Sequence, residues 1–95
     1  MSGHTPGPWH VAELCANRIK VESHQDGYVA EVWRYGADGD ANARLIAASP
    51  ELLDAAFFTQ RSATGDFANG YTIRVTGHEM EAIRAAIAKS KGREP

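Results

Sequence analysis

The spacing of apolar residues changes partway along this chain of 95 residues, and that change limits the folds open to it. Between residues 9 and 35, apolar and polar residues alternate, which is the pattern of half-buried β-strands. Between residues 41 and 58 the apolar residues instead form the stripe of an amphipathic helix. We therefore expect an α+β domain, in which an antiparallel sheet of three to four strands is packed on one face by two or three helices.

The alternating region predicts a three-stranded antiparallel meander. Its second turn is expected at Asp26-Gly27, because glycine tolerates the positive φ that tight turns need. The third strand is expected to place Val29, Glu31 and Trp33 on one face and Tyr28, Ala30, Val32 and Arg34 on the other. Apolar and polar residues alternate again at 71–76, and we expect this strand to join the same sheet.

Helices are expected at residues 41–58 and 77–90, on one face of the sheet. Asp40 is placed to cap the first helix by accepting hydrogen bonds from its free amides. Ser49 and Pro50 suit the cap and the first residue of a second helix, or a kink.

The region after residue 58 carries two further signals. Residues 59–70 are polar and contain glycines, so we expect a loop there. Thr76 and Glu79 have the spacing of a capping box, in which each side chain binds a free backbone amide of the other residue. A helix is therefore expected to begin directly after Thr76.

One domain is expected to account for residues 1–95. Pro6 and Pro8 exclude a helix at the N-terminus, so the first eight residues are expected to form an extended arm, and residues 91–95 are expected to fray. Cys15 is the single cysteine, so packing alone must hold the fold, which suits a reducing compartment. No apolar run approaches the roughly 18–20 residues that span a bilayer, and we expect a cytoplasmic protein without a membrane partner.

The charge of the chain argues against one class of partner. A net charge of −2 does not suit a protein that holds nucleic acid by its phosphate backbone, because such binding needs clustered Lys and Arg. The one basic cluster, Lys89, Lys91 and Arg93, lies where cations interact favourably with the negative end of a helix. We therefore expect no direct binding to a nucleic-acid backbone.

Residues that carry catalysis or bind metals in other proteins are scattered along this chain. The four histidines are His4, His10, His24 and His78, and no pair of them has a recognised ligand interval. The glycines match neither the dinucleotide fingerprint nor the Walker spacing. A nucleophilic site would need Cys15 to act with His10 or His24. We expect no enzyme activity, no metal and no cofactor.

Two separated motifs resemble those of a large family of small proteins carried by phages and prophages. They are HTPGPW at residues 4–9 and NARLIAASPELL at residues 42–53. After Phe57 the chain has a polar loop, a strand and a short helix where that family has a longer acidic, alanine-rich helix. Most members of the family have no assigned activity, so the resemblance implies a phage setting rather than a reaction.

The phage setting and the expected lack of enzyme activity favour an accessory protein that binds and neutralises a component of host defence. In this interpretation it works in the cytoplasm of the host cell as an inhibitor of an immune protein complex. Two alternatives stay open, namely an oligomeric sponge for a nucleotide immune signal and a structural or packaging accessory of the phage. The partner is then a host protein or a nucleotide second messenger, and assembly into a homodimer or a larger homo-oligomer suits a chain this small.

Seven residues are candidates for binding. They are Trp9, Trp33, Arg34, Tyr35, Asn42, Arg44 and Arg74. Trp9 follows two prolines that limit the entropy lost on docking, so one interpretation makes it a binding anchor. In the other interpretation, which we favour, the arm is a structural latch and Trp9 enters the core. The arginines would hold the phosphates of a nucleotide, although Arg44 has an alternative as the ion-pair partner of Glu51 or Asp40.

Overall fold

The computed structural model describes residues 3–25, 27–34, 36 and 38–92 of the chain. In chain order the elements are β1 (Trp9–Cys15), β2 (Arg18–Ser23), β3 (Gly27–Trp33), α1 (Asp38–Ala47), α2 (Ser49–Arg61), β4 (Ala63–Asp66), β5 (Gly70–Ile73) and α3 (Gly77–Ser90). Strands β1 to β3 form one antiparallel sheet, and β4 and β5 form a second. The expected α+β class is confirmed.

The three-stranded sheet is the predicted meander, with the order β1-β2-β3. The central strand, β2, carries Ile19 and Val21, whose side chains are fully buried. Val21 lies opposite Val11 on β1 and opposite Ala30 on β3. The alternation of apolar and polar residues along β2 therefore sets the face on which the core forms.

A register shift in the pairing of β2 with β3 changes the faces predicted for β3. Val21 pairs with Ala30, but the next residue, Glu22, pairs with Tyr28, so Val29 is the extra residue of a β-bulge. Val29 and Ala30 consequently both pack against the core cluster. The prediction that these two residues face opposite sides is wrong, because strict alternation fails at a bulge.

Small residues bring α1 close to the three-stranded sheet. Ala43 and Ala47 are buried and belong to the core cluster. At the start of α1, a Cβ added to Gly39 would lie 2.9 Å from the Arg34 Cα and 2.9 Å from the Trp33 carbonyl oxygen. Glycine therefore allows the start of α1 to lie against the end of β3.

Two predicted helix caps are wrong. α1 begins at Asp38, and the Asp40 carboxylate accepts a hydrogen bond from the Arg34 Nε at 3.0 Å. α2 includes Ser49, which makes no cap and instead donates from Oγ to the Leu45 carbonyl oxygen at 3.2 Å. Asp40 therefore binds a residue outside its helix, and Ser49 binds a carbonyl group of the preceding helix. Neither side chain binds the free helix amides that the local sequence pattern assigned to it.

The segment after α2 corrects two further predictions. The expected loop at residues 59–70 contains the last turn of α2 and all of β4. The strand expected at residues 71–76 does not join the three-stranded sheet, since β5 ends at Ile73 and pairs with β4. The Asp66 carboxylate accepts hydrogen bonds from the Asn69 amide at 2.7 Å and from its Nδ2 at 3.2 Å. These local bonds close the hairpin and give β5 its nearest partner.

α3 begins at the predicted capping box. The Thr76 Oγ1 accepts a hydrogen bond from the Glu79 amide at 3.1 Å, and the Glu79 Oε1 accepts one from the Thr76 amide at 2.9 Å. Farther along α3, Ala86 is buried, and the Lys89 Nζ donates to the Glu51 Oε2 at 3.0 Å. The end of α3 is thereby joined to the start of α2.

The described chain is elongated. Its extents are 51 × 28 × 25 Å and its radius of gyration is 15.9 Å, whereas a compact chain of this length has a radius of gyration of about 12 Å. The core cluster comes from the three-stranded sheet and α1, and no described residue of α3 or of the β4–β5 hairpin belongs to it. None of the described helices combines the length and apolar character that a membrane span requires.

Candidate functional site

Trp9 connects the N-terminal arm, residues 3–8, to the core. The indole is half-buried and packs against the core cluster. Its Nε1 donates a hydrogen bond to the Thr5 carbonyl oxygen at 3.2 Å, and the His4 ring meets it edge-on with ring centroids 6.0 Å apart. The arm therefore folds back over the indole.

The end of β2 binds two carbonyl groups of the arm. Ser23 is only 4% exposed, and its Oγ donates to the Pro6 carbonyl oxygen at 2.9 Å and accepts from the Gln25 amide at 3.2 Å. The His24 amide donates to the Pro8 carbonyl oxygen at 3.4 Å. One side of the arm is thus fixed to the three-stranded sheet.

The other side of the arm lies on the start of α2. A Cβ added to Gly7 would lie 3.1 Å from the Pro50 Cβ and 3.3 Å from its Cγ, so the arm backbone is in close contact with the proline ring. Pro50 is the buried residue of α2. The motifs at residues 4–9 and 42–53, which are separated in the sequence, therefore meet in the structure.

The arm and α2 border a surface cleft, which we call the arm cleft. Its apolar part has a volume of about 200 Å³ and is lined by His4, Trp9, Ser49, Pro50 and Leu53. Its polar part has a volume of about 320 Å³ and is lined by His4, Gly7, Pro8, Pro50, Glu51 and Asp54. His4 and Pro50 line both parts, so the two parts adjoin.

Acidic groups line the polar part of the arm cleft. Glu51 and Asp54 are three residues apart on α2 and therefore share one side of the helix. Glu51 binds Lys89 through Oε2, but its Oε1 is buried without a hydrogen-bond partner among the described residues. Asp54 is exposed and is therefore the carboxylate of this part that a cationic ligand can reach.

Arg34, one of the residues predicted to bind a ligand, joins β1 to α1. Its guanidinium donates to the two Glu13 carboxylate oxygens at 2.9 and 3.2 Å and to Asp40 at 3.0 Å. The bonds to Glu13 and then to Asp40 raise the pKa of Arg34, and the Arg34 guanidinium lowers the pKa of Glu13. Two carboxylates therefore already neutralise the charge that a phosphate would need.

The other polar candidates lie on different elements. Asn42 is exposed on α1. Arg44 lies against Gly92, where an added Cβ would be 2.5 Å from the Arg44 Cδ and Nε. Asp40 and Glu51, which were expected to pair with Arg44, bind Arg34 and Lys89 instead. Arg74 follows β5 and is exposed.

Trp33 ends β3 and is 45% exposed. The Arg18 guanidinium carbon lies 5.0 Å from the Trp33 ring centroid, which is a cation–π contact. The pKa of the exposed Cys15 thiol is lowered, mainly by a hydrogen bond from the Asn17 backbone amide and secondly by one from the Arg18 guanidinium. Tyr35, the remaining aromatic candidate, lies outside the described residues.

The length of β1 separates the groups considered for nucleophilic catalysis. The His10 and His24 ring centroids are 4.8 Å apart, and the His10 Nε2 lies 2.9 Å from the Glu22 Oε1. Cys15 is at the other end of the strand, about 17 Å away, and its thiol donates to the Asn17 Oδ1 at 3.2 Å. The structure therefore does not form the pair of Cys15 with either histidine. Across the described ranges, no three His, Cys, Asp or Glu side chains are grouped so that they could hold a metal ion.

Sequence reasoning missed two residues that line the arm cleft. It assigned Leu53 to the apolar stripe of a helix, yet this side chain is 40% exposed, and it did not consider Asp54. The available signal was the spacing from Pro50, since residues three and four positions later lie on the same side of a helix.

The fold and the cleft together define a class, that of small α+β proteins in which an N-terminal arm packs on the start of a helix beside an acidic, partly apolar cleft. The chain belongs to the family of Salmonella phage P22 protein Y8K6, whose family model matches residues 1–94. The matched region continues well past residue 57 and includes β4, β5 and α3. The prediction of a small phage protein is thus confirmed at the level of the family. No curated protein and no solved structure gives a significant match.

Proposed function

We propose that this phage protein is a non-enzymatic accessory protein that binds a host protein through the arm cleft and thereby neutralises a component of host defence. The observation that supports the proposal is the meeting of the two motifs at the arm cleft, where an apolar wall adjoins acidic groups. Such a protein acts by occupying a surface of its target, which requires one copy for each target and no turnover.

The lining of the arm cleft defines the partner segment that it fits. Trp9, Pro50 and Leu53 offer an apolar wall to one aliphatic or aromatic side chain. Asp54, which is exposed, suits a lysine or arginine next to that side chain, because charge-assisted hydrogen bonds are the strong ones. The expected partner segment therefore carries an apolar residue beside a cationic one.

The acidic lining favours a protein partner over a nucleotide signal. The exposed Asp54 carboxylate would repel a phosphate in the arm cleft, since like charges placed together are unfavourable at an interface, whereas Lys89 already neutralises Glu51. Arg34 is already neutralised by two carboxylates. A nucleotide sponge would therefore have to build its site from Arg44 or Arg74, at a contact between copies.

A capture experiment with matched charge reversals tests the proposal. Tagged wild-type protein, Asp54→Arg and Glu81→Arg are each used to capture proteins from a lysate of phage-infected host cells. Glu81 is an exposed carboxylate of α3 that does not line the arm cleft. We expect the wild type and Glu81→Arg to retain the same host protein and Asp54→Arg to lose it. Phage with Asp54→Arg should then plate less efficiently only on hosts that carry the matching defence system.

Three other outcomes contradict the proposal. Capture of virion proteins in place of a host protein would support the structural or packaging role. Thermal stabilisation by cyclic dinucleotides would support the nucleotide sponge, because a ligand of the folded state raises its melting temperature. Phage with Cys15→Ala that plate less efficiently on hosts carrying the defence system would indicate an enzyme.

A further inference from the structure

The β4–β5 hairpin packs mainly on itself. Its two strands have four residues each, and neither packs extensively against another described element. An isolated two-stranded hairpin is marginally stable in water. The described contacts within one chain therefore leave most of the hairpin uncovered.

The hairpin and the end of α2 form an open apolar surface. A groove of about 510 Å³ is lined there by Thr59, Gln60, Ala63, Tyr71 and Ile73. Gln60 also lines a neighbouring depression with Phe57, so the surface continues along α2. Phe57, Tyr71 and Ile73 are 56%, 60% and 52% exposed. We call these three residues together with Gln60 the hairpin face.

We propose that the hairpin face is the contact surface between two copies of this chain. A partner that supports the hairpin must be present whenever the chain folds, and a second copy is always made in the same place. A twofold pair would let each hairpin cover the other, since identical patches meet in such an interface. This inference does not depend on the function proposed for the arm cleft.

The exposed area supports an interface of this kind. Phe57 and Tyr71, which are 56% and 60% exposed, together present about 230 Å² of aromatic surface. A stable interface buries about 800 Å² on each partner. These two rings would therefore supply roughly 30% of one side, and the exposed Ile73 adds further apolar surface.

The charge balance also suits contact between identical surfaces. Residues 49–92 carry five acidic and five basic side chains, whereas residues 1–48 carry six acidic and four basic ones. The net charge of −2 thus belongs entirely to the first half of the chain. In a twofold pair each surface meets its own charges, so the neutral half is the one that pairs without net repulsion.

Sedimentation over a concentration series tests this inference. The wild type is expected to reach twice the chain mass of 10.3 kDa, and Tyr71→Ser is expected to raise the dimer dissociation constant by about tenfold or more. Tyr28→Ser is the matched control, because Tyr28 is a 53% exposed tyrosine on the three-stranded sheet. Asp54→Arg is expected to remain as dimeric as the wild type, which separates the hairpin face from the arm cleft.

A wild type that keeps the mass of one chain at its highest soluble concentration overturns the inference. A dimer that Tyr71→Ser weakens no more than Tyr28→Ser does overturns it too. Should Tyr71→Ser fail to fold by circular dichroism, hydrogen exchange of the wild type decides. The amides of residues 63–73 must gain protection as the protein concentration rises, and protection that is independent of concentration rejects the dimer.

Discussion

The backbone of Gly7 lies directly against the ring of Pro50. A Cβ at Gly7 would be 3.1 Å from the Pro50 Cβ, which is closer than about nine in ten real contacts of a Cβ atom. This contact holds the arm on α2 and forms the boundary of the arm cleft. The geometry of the cleft therefore depends on the absence of a side chain at position 7.

Gly7→Ala is expected to displace the arm and to lower the free energy of unfolding by about 1 kcal/mol, the lower end of the cost of overpacking. Urea unfolding measures the loss. Gly3→Ala is the matched control, because nothing lies within 4 Å of a Cβ added to Gly3. Equal stability of the two variants would contradict the close contact of Gly7 with Pro50.

Ser23→Ala is expected to loosen the arm from the sheet. The buried Ser23 hydroxyl binds the Pro6 carbonyl oxygen and the Gln25 amide, and Ser23→Ala removes both hydrogen bonds, each of which contributes about 0.5–1.5 kcal/mol. Hydrogen exchange should show faster exchange at residues 5–9, together with a lower urea midpoint. Ser90→Ala, which removes a hydroxyl from the last turn of α3, should leave exchange in the arm unchanged.

Local signals in the sequence predicted the elements whose partners are near in the chain. The meander follows from alternation along β1 to β3, and the start of α3 follows from Thr76 and Glu79, which bind each other's backbone. Such features depend on residues within a few positions of one another. For that reason they can be predicted from one sequence.

Features that depend on distant partners were not predicted. Asp40 has a good capping sequence, yet Arg34 reaches it from β3. The strand predicted from the alternation at residues 71–76 was assigned to the wrong sheet for another reason, because residues 63–66, which form its partner strand β4, were expected to be a loop. The arm cleft does depend on distant partners, because the motif residues Trp9 and Pro50 were recognisable while their proximity depends on the path of the arm over α2.

Thr76→Ala is expected to lower the free energy of unfolding by about 1 kcal/mol, the usual cost of losing a helix cap. The Glu79 amide loses its acceptor, since it donates to the Thr76 hydroxyl. Thr59→Ala is an informative comparison, because the Thr59 hydroxyl binds carbonyl oxygens within α2 and alanine is the better helix former. Thermal melts should therefore show a loss of stability for Thr76→Ala and no loss for Thr59→Ala.

Stability is expected to fall as the pH falls below about 4.5, the ordinary pKa of a glutamate. The hydrogen bond and then the charge of Arg34 hold the pKa of Glu13 below that value in the folded state. A carboxyl group with a lowered pKa in the folded state stabilises the fold fully above its unfolded pKa, and this contribution disappears as the pH falls through the folded pKa. Three other carboxyl groups have a lowered pKa in the folded state and so also make stability fall with falling pH. The main cause is a hydrogen bond from Lys20 for Glu22, from Tyr28 for Glu31 and from Asn69 for Asp66.

Arg34→Gln is therefore expected to lower the free energy of unfolding at neutral pH. It is also expected to reduce the stability that is lost on acidification, although the other carboxyl groups still cause part of that loss. Urea midpoints measured from neutral pH to below pH 4 give both quantities. Arg84→Gln is the matched control, since Arg84 is an exposed arginine of α3 outside the ion pairs found among the described residues. If Arg34→Gln and Arg84→Gln lose the same stability over this pH range, the ion pairs of Arg34 with Glu13 and Asp40 do not stabilise the folded chain in solution.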